Sequence, residues 1–174
     1  TAAPVAERYP LSIQALPGGQ ILAAGQPLSY GSPGAALAPL VVLATNGTVV
    51  SAAAPAVQQS GSVFDIARLP NGQLLVGGDF TEISGQAASY VARLNADGTP
   101  DAAFTTSCNG VVNSIVVQPD GKILLGGSFS SVAGVARAGL ARLLGAGTLD
   151  VALAPPLQPA ALPFSSGQGV RQMA

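Results

Sequence analysis

One phrase recurs in this chain, and no other feature restricts its fold as strongly. The two close copies are LPNGQLLVGGDF at 69–80 and QPDGKILLGGSF at 118–129, and a weaker copy, LPGGQILAAGQP, stands at 16–27. Each copy has a proline and a glycine two residues apart, followed by a short apolar run. The prolines lie 53 and 49 residues apart: Pro17, Pro70 and Pro119.

A second landmark, glycine followed by threonine, keeps the same spacing. These glycines lie 51 and 49 residues apart: Gly47, Gly98 and Gly147. Two landmarks that move together at about fifty residues define an internal repeat, and repeats of this length are typical of propellers and solenoids.

Within each unit the pattern predicts short antiparallel strands and tight turns. Runs such as SVFDIARL and NSIVVQ are apolar and rich in β-branched residues. The three-residue loops after them end in Gly72 and Gly121, which fit the left-handed position that closes such a hairpin. The next strand carries a glycine pair, 77–78 or 126–127, which predicts a bulge or the close approach of another backbone.

The rest of the unit predicts a propeller blade. A third strand (SYVARLN or AGLARLL) leads to a second turn closed by Gly98 or Gly147, and a fourth strand (TPDAAF or TLDVAL) would complete a four-stranded antiparallel sheet. The predicted fold is therefore all-β, with little helix. Phe80 and Phe129 recur at one position of the repeat and are expected to be buried packing residues.

The repeat divides the chain into units within one repeat domain, 1–174. The units are a degenerate first blade (8–58), a second (59–108), a third (109–158) and the start of a fourth (159–174). Propellers usually close with about four to eight blades. The chain is either a segment of a longer protein, which we favour, or is completed by other chains. Its expected partners are therefore further blades of the same or another chain.

Composition excludes several classes of function. The net charge of −1 gives no field that would attract nucleic acid. The chain has no apolar run of about 18 residues, the length typical of a membrane span. Without histidine and with the single Cys108, neither a Ser-His-Asp triad nor a zinc site can be assembled, and we expect no metal and no cofactor.

A few residues remain as binding candidates. NADGTPD at 95–101 resembles a calcium loop, but unit three has LGAGTLD there, so a hairpin is favoured. Asp79, Glu82 and Tyr90 are specific to unit two, and they are the candidate ligand-binding residues. The alternative interpretation of the two carboxylates is a solvated rim.

Comparison of the copies also predicts contacts around the second turn. Counting outward from that turn pairs Arg93 with Asp101 and Arg142 with Asp150, whereas the first copy has valines at both positions, 42 and 50. Charges that are present together or replaced together are expected to lie opposite each other in an antiparallel ladder. We therefore predict two ion pairs and one contact between valines.

The motifs QPDGKILLGGSF, ARL and GTLD resemble the delta-sixty repeat, a β-propeller repeat of secreted bacterial proteins. The resemblance covers roughly 61–153, and the first copy matches only at its turns. It implies export to the cell surface, often by the type IX secretion route, and ligands that are generally undefined. It implies fold and location but no chemistry.

Three hypotheses of function follow. The first is a non-catalytic repeat segment that acts as a scaffold or protein-interaction surface of an exported protein. The second is a carbohydrate-binding propeller module. The third is part of a propeller glycosidase or lyase whose catalytic groups lie outside this segment.

Overall fold

The computed structural model describes residues 10–28, 38–48, 61–83, 86–96 and 98–153, and this part of the chain is all-β. Its strands are β1 (Pro10–Ala15), β2 (Ile21–Leu28), β3 (Ala38–Leu43), β4 (Val63–Arg68), β5 (Leu74–Gly78), β6 (Glu82–Ile83), β7 (Gln86–Ala87), β8 (Val91–Leu94), β9 (Val111–Val117), β10 (Ile123–Ser128), β11 (Ser131–Val132), β12 (Val135–Ala136) and β13 (Leu140–Leu143). The only helical segment among the described residues is the 3-10 turn Pro17–Gly19. The expectation of little helix is confirmed for this part.

The long strands form three antiparallel sheets. Sheet 1 has the order β1-β2-β3, sheet 2 the order β4-β5-β8 and sheet 3 the order β9-β10-β13. Two short ribbons, β6-β7 and β11-β12, lie between the second and third strands of sheets 2 and 3 along the chain. The three predicted hairpin strands of each unit are therefore present.

The prediction of a fourth strand is wrong for the second and third units. Within the predicted fourth strand of the second unit, 99–104, the chain forms only an isolated bridge, between Leu94 and Pro100. The Asp101 carboxylate then accepts a hydrogen bond of 2.9 Å from Ala103 N–H, which turns the chain away from the sheet edge. The equivalent contacts in the third unit are the Leu143–Leu149 bridge and the bond from Ala152 N–H to Asp150.

Both predicted turn types are present. Leu69 N–H donates to Gln73 C=O across the first hairpin of sheet 2, and Asn95 N–H donates to Thr99 C=O across the second turn. The closing glycines have φ values of 79° to 103°: Gly72, Gly98, Gly121 and Gly147. Three-residue loops closed by a left-handed glycine therefore set the register of the strands.

The glycine pairs mark a bulge and a close approach, as predicted. The register of β9 and β10 shifts between Gly126 and Gly127. A Cβ atom at Gly127 would lie 2.0 Å from the carbonyl oxygen of Val111, and one at Gly78 would lie 2.0 Å from that of Ser62. No side chain fits at either position without moving the backbone.

Sheet 2 packs between sheets 1 and 3, and its strands are buried from both sides. We call the face of each sheet that points toward the preceding unit the N-side face, and the opposite one the C-side face. In β5, Leu74 and Val76 belong to the core shared with sheet 1, and Leu75 belongs to the core shared with sheet 3. The first strands of the three sheets are neighbours, because β4 contacts both β1 and β9.

The two recurring phenylalanines are buried, as predicted. Phe80 is fully buried in the core between sheets 1 and 2, and Phe129 is buried in the core between sheets 2 and 3. Both follow the central strand of their sheet and fill equivalent positions at its end. Their recurrence therefore reflects packing.

Some predictions fall outside the described residues. They concern Val50, the side chain of Val42, Asp97 and the start of a fourth unit at 159–174. In the part of the chain that the structure describes, no helix has the length and apolarity needed to cross a membrane.

Candidate functional site

Asp79, one of the three binding candidates, is engaged in the framework of sheet 2. Its carboxylate accepts a hydrogen bond from Ser62 N–H, and Asp79 N–H donates to Ser62 C=O at 3.1 Å. This reciprocal pair joins the end of β5 to the residue just before β4. The second of the three, Glu82, lies in β6, directly opposite Ala87 of β7.

Tyr90 has an unusual backbone conformation, with φ of 68°. The third unit has Gly139 in its place, with φ of 75°. Both residues donate their N–H to the C=O of the recurring phenylalanine of their unit, Phe80 or Phe129. A left-handed conformation costs a tyrosine about 1–3 kcal/mol relative to glycine. The side chain of Tyr90 packs against the core between sheets 2 and 3.

A cavity of about 310 Å³ lies beside these residues, but Asp79, Glu82 and Tyr90 do not line it. It lies between the segment 86–93 and the connection 100–107 that leads to sheet 3. Its polar groups are the amide of Gln86, several hydroxyl groups and the Arg93–Asp101 pair, and Phe104 adds an aromatic ring. Its volume is at the lower end of the range for small-molecule sites.

The ion pair predicted for the second turn is present at this cavity. Arg93 Nε lies 2.7 Å from Asp101 Oδ2, and the two side chains are only 10% and 14% exposed. Gln73 donates to the same carboxylate oxygen at 2.9 Å. The Ala103 N–H and the Arg93 guanidinium hold the pKa of Asp101 below its ordinary value of 3.8, against the opposing effect of burial.

The second predicted ion pair is present in sheet 3. Arg142 Nε lies 2.8 Å from Asp150 Oδ2, and Lys122 Nζ lies 3.9 Å from the same oxygen. Burial raises the pKa of Asp150, but the Ala152 N–H and the Arg142 guanidinium outweigh this effect, so its pKa lies below 3.8. Both pairs therefore hold an ionised carboxylate at the sheet edge.

Arg93 also joins sheet 2 to the following sheet. Its Nη1 donates to the carbonyl oxygen of Ala146, in the second turn of the third unit, at 3.0 Å. Its guanidinium carbon lies 5.1 Å from the centre of the Phe104 ring, within the range of a cation–π contact. One side chain thus connects its own turn, the connecting segment and the next unit.

A second link between sheets was missed by the sequence analysis. Ile66 N–H of β4 donates to Ser12 Oγ of β1 at 3.2 Å, and Ile115 N–H of β9 donates to Asp65 Oδ2 of β4 at 2.7 Å. In both cases the acceptor stands five residues before the hairpin proline of its own unit. The donor stands four residues before the hairpin proline of the following unit. A polar residue recurring in otherwise apolar first strands was the available signal.

The described residues offer few candidates for metal binding or nucleophilic catalysis. They contain no group of three or more histidine, cysteine, aspartate or glutamate side chains that could hold a metal ion. Cys108 is buried, and burial raises the pKa of its thiol to about 12. At neutral pH this thiol is therefore protonated and unreactive in the folded state.

The antiparallel sheets and their repeated links define an all-β repeat protein. Two stretches, 69–104 and 118–152, match the model of a family described as a β-propeller domain of unknown function (DUF5122). The two matches start at equivalent residues, directly before the hairpin prolines. A comparison with curated proteins found no significant match. The family match supports a β-propeller repeat family.

Proposed function

We propose that this chain is a non-catalytic propeller repeat segment of an exported or cell-surface bacterial protein, and that it acts as a scaffold or protein-interaction surface. The location is proposed from the resemblance to the delta-sixty repeat. The scaffold role is proposed from the way in which the charged side chains are used.

The observation that carries the proposal is the engagement of the carboxylates. Of the six described carboxylates, all except that of Glu82 accept hydrogen bonds from backbone N–H groups. These five are Asp65, Asp79, Asp101, Asp120 and Asp150. General acid catalysis at neutral pH requires a carboxyl group with a raised pKa. The pKa values of Asp101 and Asp150 are instead lowered.

The location is tested by treating intact producing cells with a protease and detecting the chain with an antibody. We expect the chain to be degraded while a cytoplasmic marker protein stays intact. A chain that is degraded only after lysis would contradict the proposed surface location.

A carbohydrate-binding module is the second candidate, and the cavity is the observation that favours it. Hydroxyl groups, an amide and the Phe104 ring around a cavity of about 310 Å³ match the polar and stacking surfaces of a sugar. A glycan array with the purified chain separates the two candidates. The scaffold proposal predicts no binding, and binding that Phe104→Ala removes would favour the carbohydrate module.

A further inference from the structure

One turn of the first unit carries a triplet that the other turns lack. Asn46, Gly47 and Thr48 form the sequence asparagine-x-threonine, which is the acceptor signal for N-linked sugars. No other asparagine of the chain has a serine or threonine two residues later. The triplet lies in the second turn, which follows β3, and all three residues are exposed. It therefore stands in a surface turn, where acceptor sites occur.

The side-chain amide of Asn46 is held through its oxygen alone. Thr48 Oγ1 donates to Asn46 Oδ1 at 2.7 Å, and Thr48 N–H donates to the same oxygen at 3.0 Å. Asn46 Nδ2 donates to no residue that the structure describes, whereas Asn71 Nδ2 donates to Gln73 Oε1 at 2.8 Å. The hydroxyl group that the signal requires thus contacts the acceptor amide, and the nitrogen that would carry the sugar is available.

The turn itself does not require the asparagine. In the third unit Ala146 takes the place of Asn46. Leu144 N–H nevertheless donates to Thr148 C=O at 2.8 Å, which is also the length of the equivalent bond in the first unit. An alanine is therefore sufficient for this turn, and the fold leaves the Asn46 side chain available for another role.

The triplet would stay exposed if a further unit preceded it. The third unit shows this, because the Phe104 ring of the second unit lies so close to Gly147 that a Cβ there would be 2.7 Å from it. Ala146 and Thr148, on either side of this glycine, are nevertheless exposed. A preceding unit packed in the same way would leave the asparagine and the threonine of the triplet accessible.

We propose that Asn46 is an acceptor for an N-linked sugar, and that the sugar is transferred from a sugar diphosphate. In the transfer, Asn46 Nδ2 forms a bond to the anomeric carbon of the sugar. The bond between that carbon and the diphosphate oxygen breaks, and its electron pair leaves with the diphosphate. One Nδ2 proton passes to a base of the transferase.

This inference adds a covalent modification to the proposed scaffold, and the two proposals can fail separately. An unmodified Asn46 in a chain that protease reaches on intact cells would overturn the modification and leave the location intact. A modified Asn46 in a chain that is degraded only after lysis would do the reverse.

The test is peptide mass spectrometry of the protein isolated from the cells that produce it. Asn71 is the matched control within the same molecule, because it also precedes a left-handed glycine in a three-residue loop but is followed by Gln73 instead of a threonine. We expect Asn46 to carry sugar and Asn71 to carry none. An unmodified Asn46, or equal modification of Asn71, would overturn the proposal.

Variants made in the same cells test the role of the turn. Asn46→Gln and Thr48→Val should lose the sugar, whereas Thr48→Ser, which keeps the hydroxyl group, should retain it. Ala146→Asn should gain a second modified site, because its turn is exposed although a unit precedes it. Sugar retained in Thr48→Val, or no second site in Ala146→Asn, would contradict the proposed acceptor geometry.

The carrier of the diphosphate is identified with unmodified chain from a host that lacks N-linked glycosylation. This chain is incubated with the soluble fraction of the producing cells plus a nucleotide sugar, or with their washed membranes. Transfer in the first mixture identifies a nucleotide carrier, and transfer in the second identifies a lipid carrier. Transfer in neither mixture would overturn the proposal.

Discussion

Removal of the Arg93 side chain should loosen the junction between sheets 2 and 3 far more than removal of Arg142. Arg93 makes a charge-assisted bond to Asp101 at 2.7 Å, a bond to the Ala146 carbonyl at 3.0 Å and a contact with the Phe104 ring. A charge-assisted bond contributes about 1.5 kcal/mol or more, and an exposed bond and a cation–π contact contribute roughly 0.5–1 kcal/mol each. The Asp101 bond lies within the second unit, so Arg93→Ala should weaken the junction itself by about 1–2 kcal/mol, through loss of the Ala146 bond and the Phe104 contact.

Cys108 reports the opening of this junction. It is buried in the core between sheets 2 and 3, and its N–H donates to Ser89 C=O in the second unit at 3.1 Å. Burial raises its pKa to about 12, against 9.0 for an unperturbed thiol. Alkylation by iodoacetamide at mildly alkaline pH therefore requires opening, because only the thiolate reacts.

We expect Arg93→Ala to raise the alkylation rate of Cys108 about five- to thirtyfold, since about 1.4 kcal/mol corresponds to a factor of ten. The matched control is Arg142→Ala, which removes the equivalent ion pair but no described contact with another sheet. It should change the rate much less. Equal rates for the two variants, or an unchanged rate for Arg93→Ala, would refute the role of Arg93 at the junction.

Three further predictions concern stability. Because the folded pKa of Asp101 lies below its ordinary value of 3.8, its contribution is complete above about pH 5 and is lost progressively as the pH falls through the folded pKa. Urea midpoints from pH 7 to 2.5 should therefore decrease at the acidic end, and the decrease should be smaller in Asp101→Asn. Gly127→Ala should unfold or strongly destabilise the chain, since its Cβ would lie 2.0 Å from the carbonyl oxygen of Val111. The control Gly121→Ala has open space around it and should cost only about 1–2 kcal/mol, because its backbone is left-handed. Similar urea midpoints for the two variants would contradict this. Phe80→Ala should cost about 3–5 kcal/mol in urea unfolding, because the ring is fully buried, and a loss below about 1 kcal/mol would show that the site is not close-packed.

Local chemistry explains which parts of the fold were predictable from the sequence. The hairpins follow from the proline and glycine positions of their loops, and the glycine pairs follow from the absence of space beside β5 and β10. The ion pairs became visible because the copies act as an internal comparison, in which Arg93 and Asp101 recur as Arg142 and Asp150. Except for Gly77, whose Cβ would meet Val112 of the next sheet at 2.6 Å, these features lie within a single unit.

Features that depend on side-chain caps or on neighbouring sheets were not predictable in the same way. The fourth strand was expected because its residues favour strands, but the Asp101 side chain bonds Ala103 N–H and bends the chain after one bridge. Tyr90 was interpreted as a binding candidate because it is specific to its copy. The structure shows that its position requires a left-handed backbone, for which glycine is the ordinary residue.

The binding of each sheet to the following one through a side chain of its first strand is tested most directly at the hydrogen bonds that these side chains accept. Asp65 Oδ2 accepts from Ile115 N–H of sheet 3 at 2.7 Å, whereas Ser12 Oγ accepts from Ile66 N–H of sheet 2. The measurement is amide hydrogen exchange by NMR on the native chain and on the variants Asp65→Ala and Ser12→Ala.

We expect Asp65→Ala to speed the exchange of the Ile115 amide by at least about tenfold, since a hydrogen bond to a charged acceptor contributes about 1.5–3 kcal/mol. Ser12→Ala should change both amides much less, because Ile66 N–H keeps its bond to Asp65 Oδ1 at 2.8 Å and the Asp65 carboxylate that binds Ile115 N–H stays in place. An Ile115 amide that exchanges at the native rate in Asp65→Ala would contradict the account.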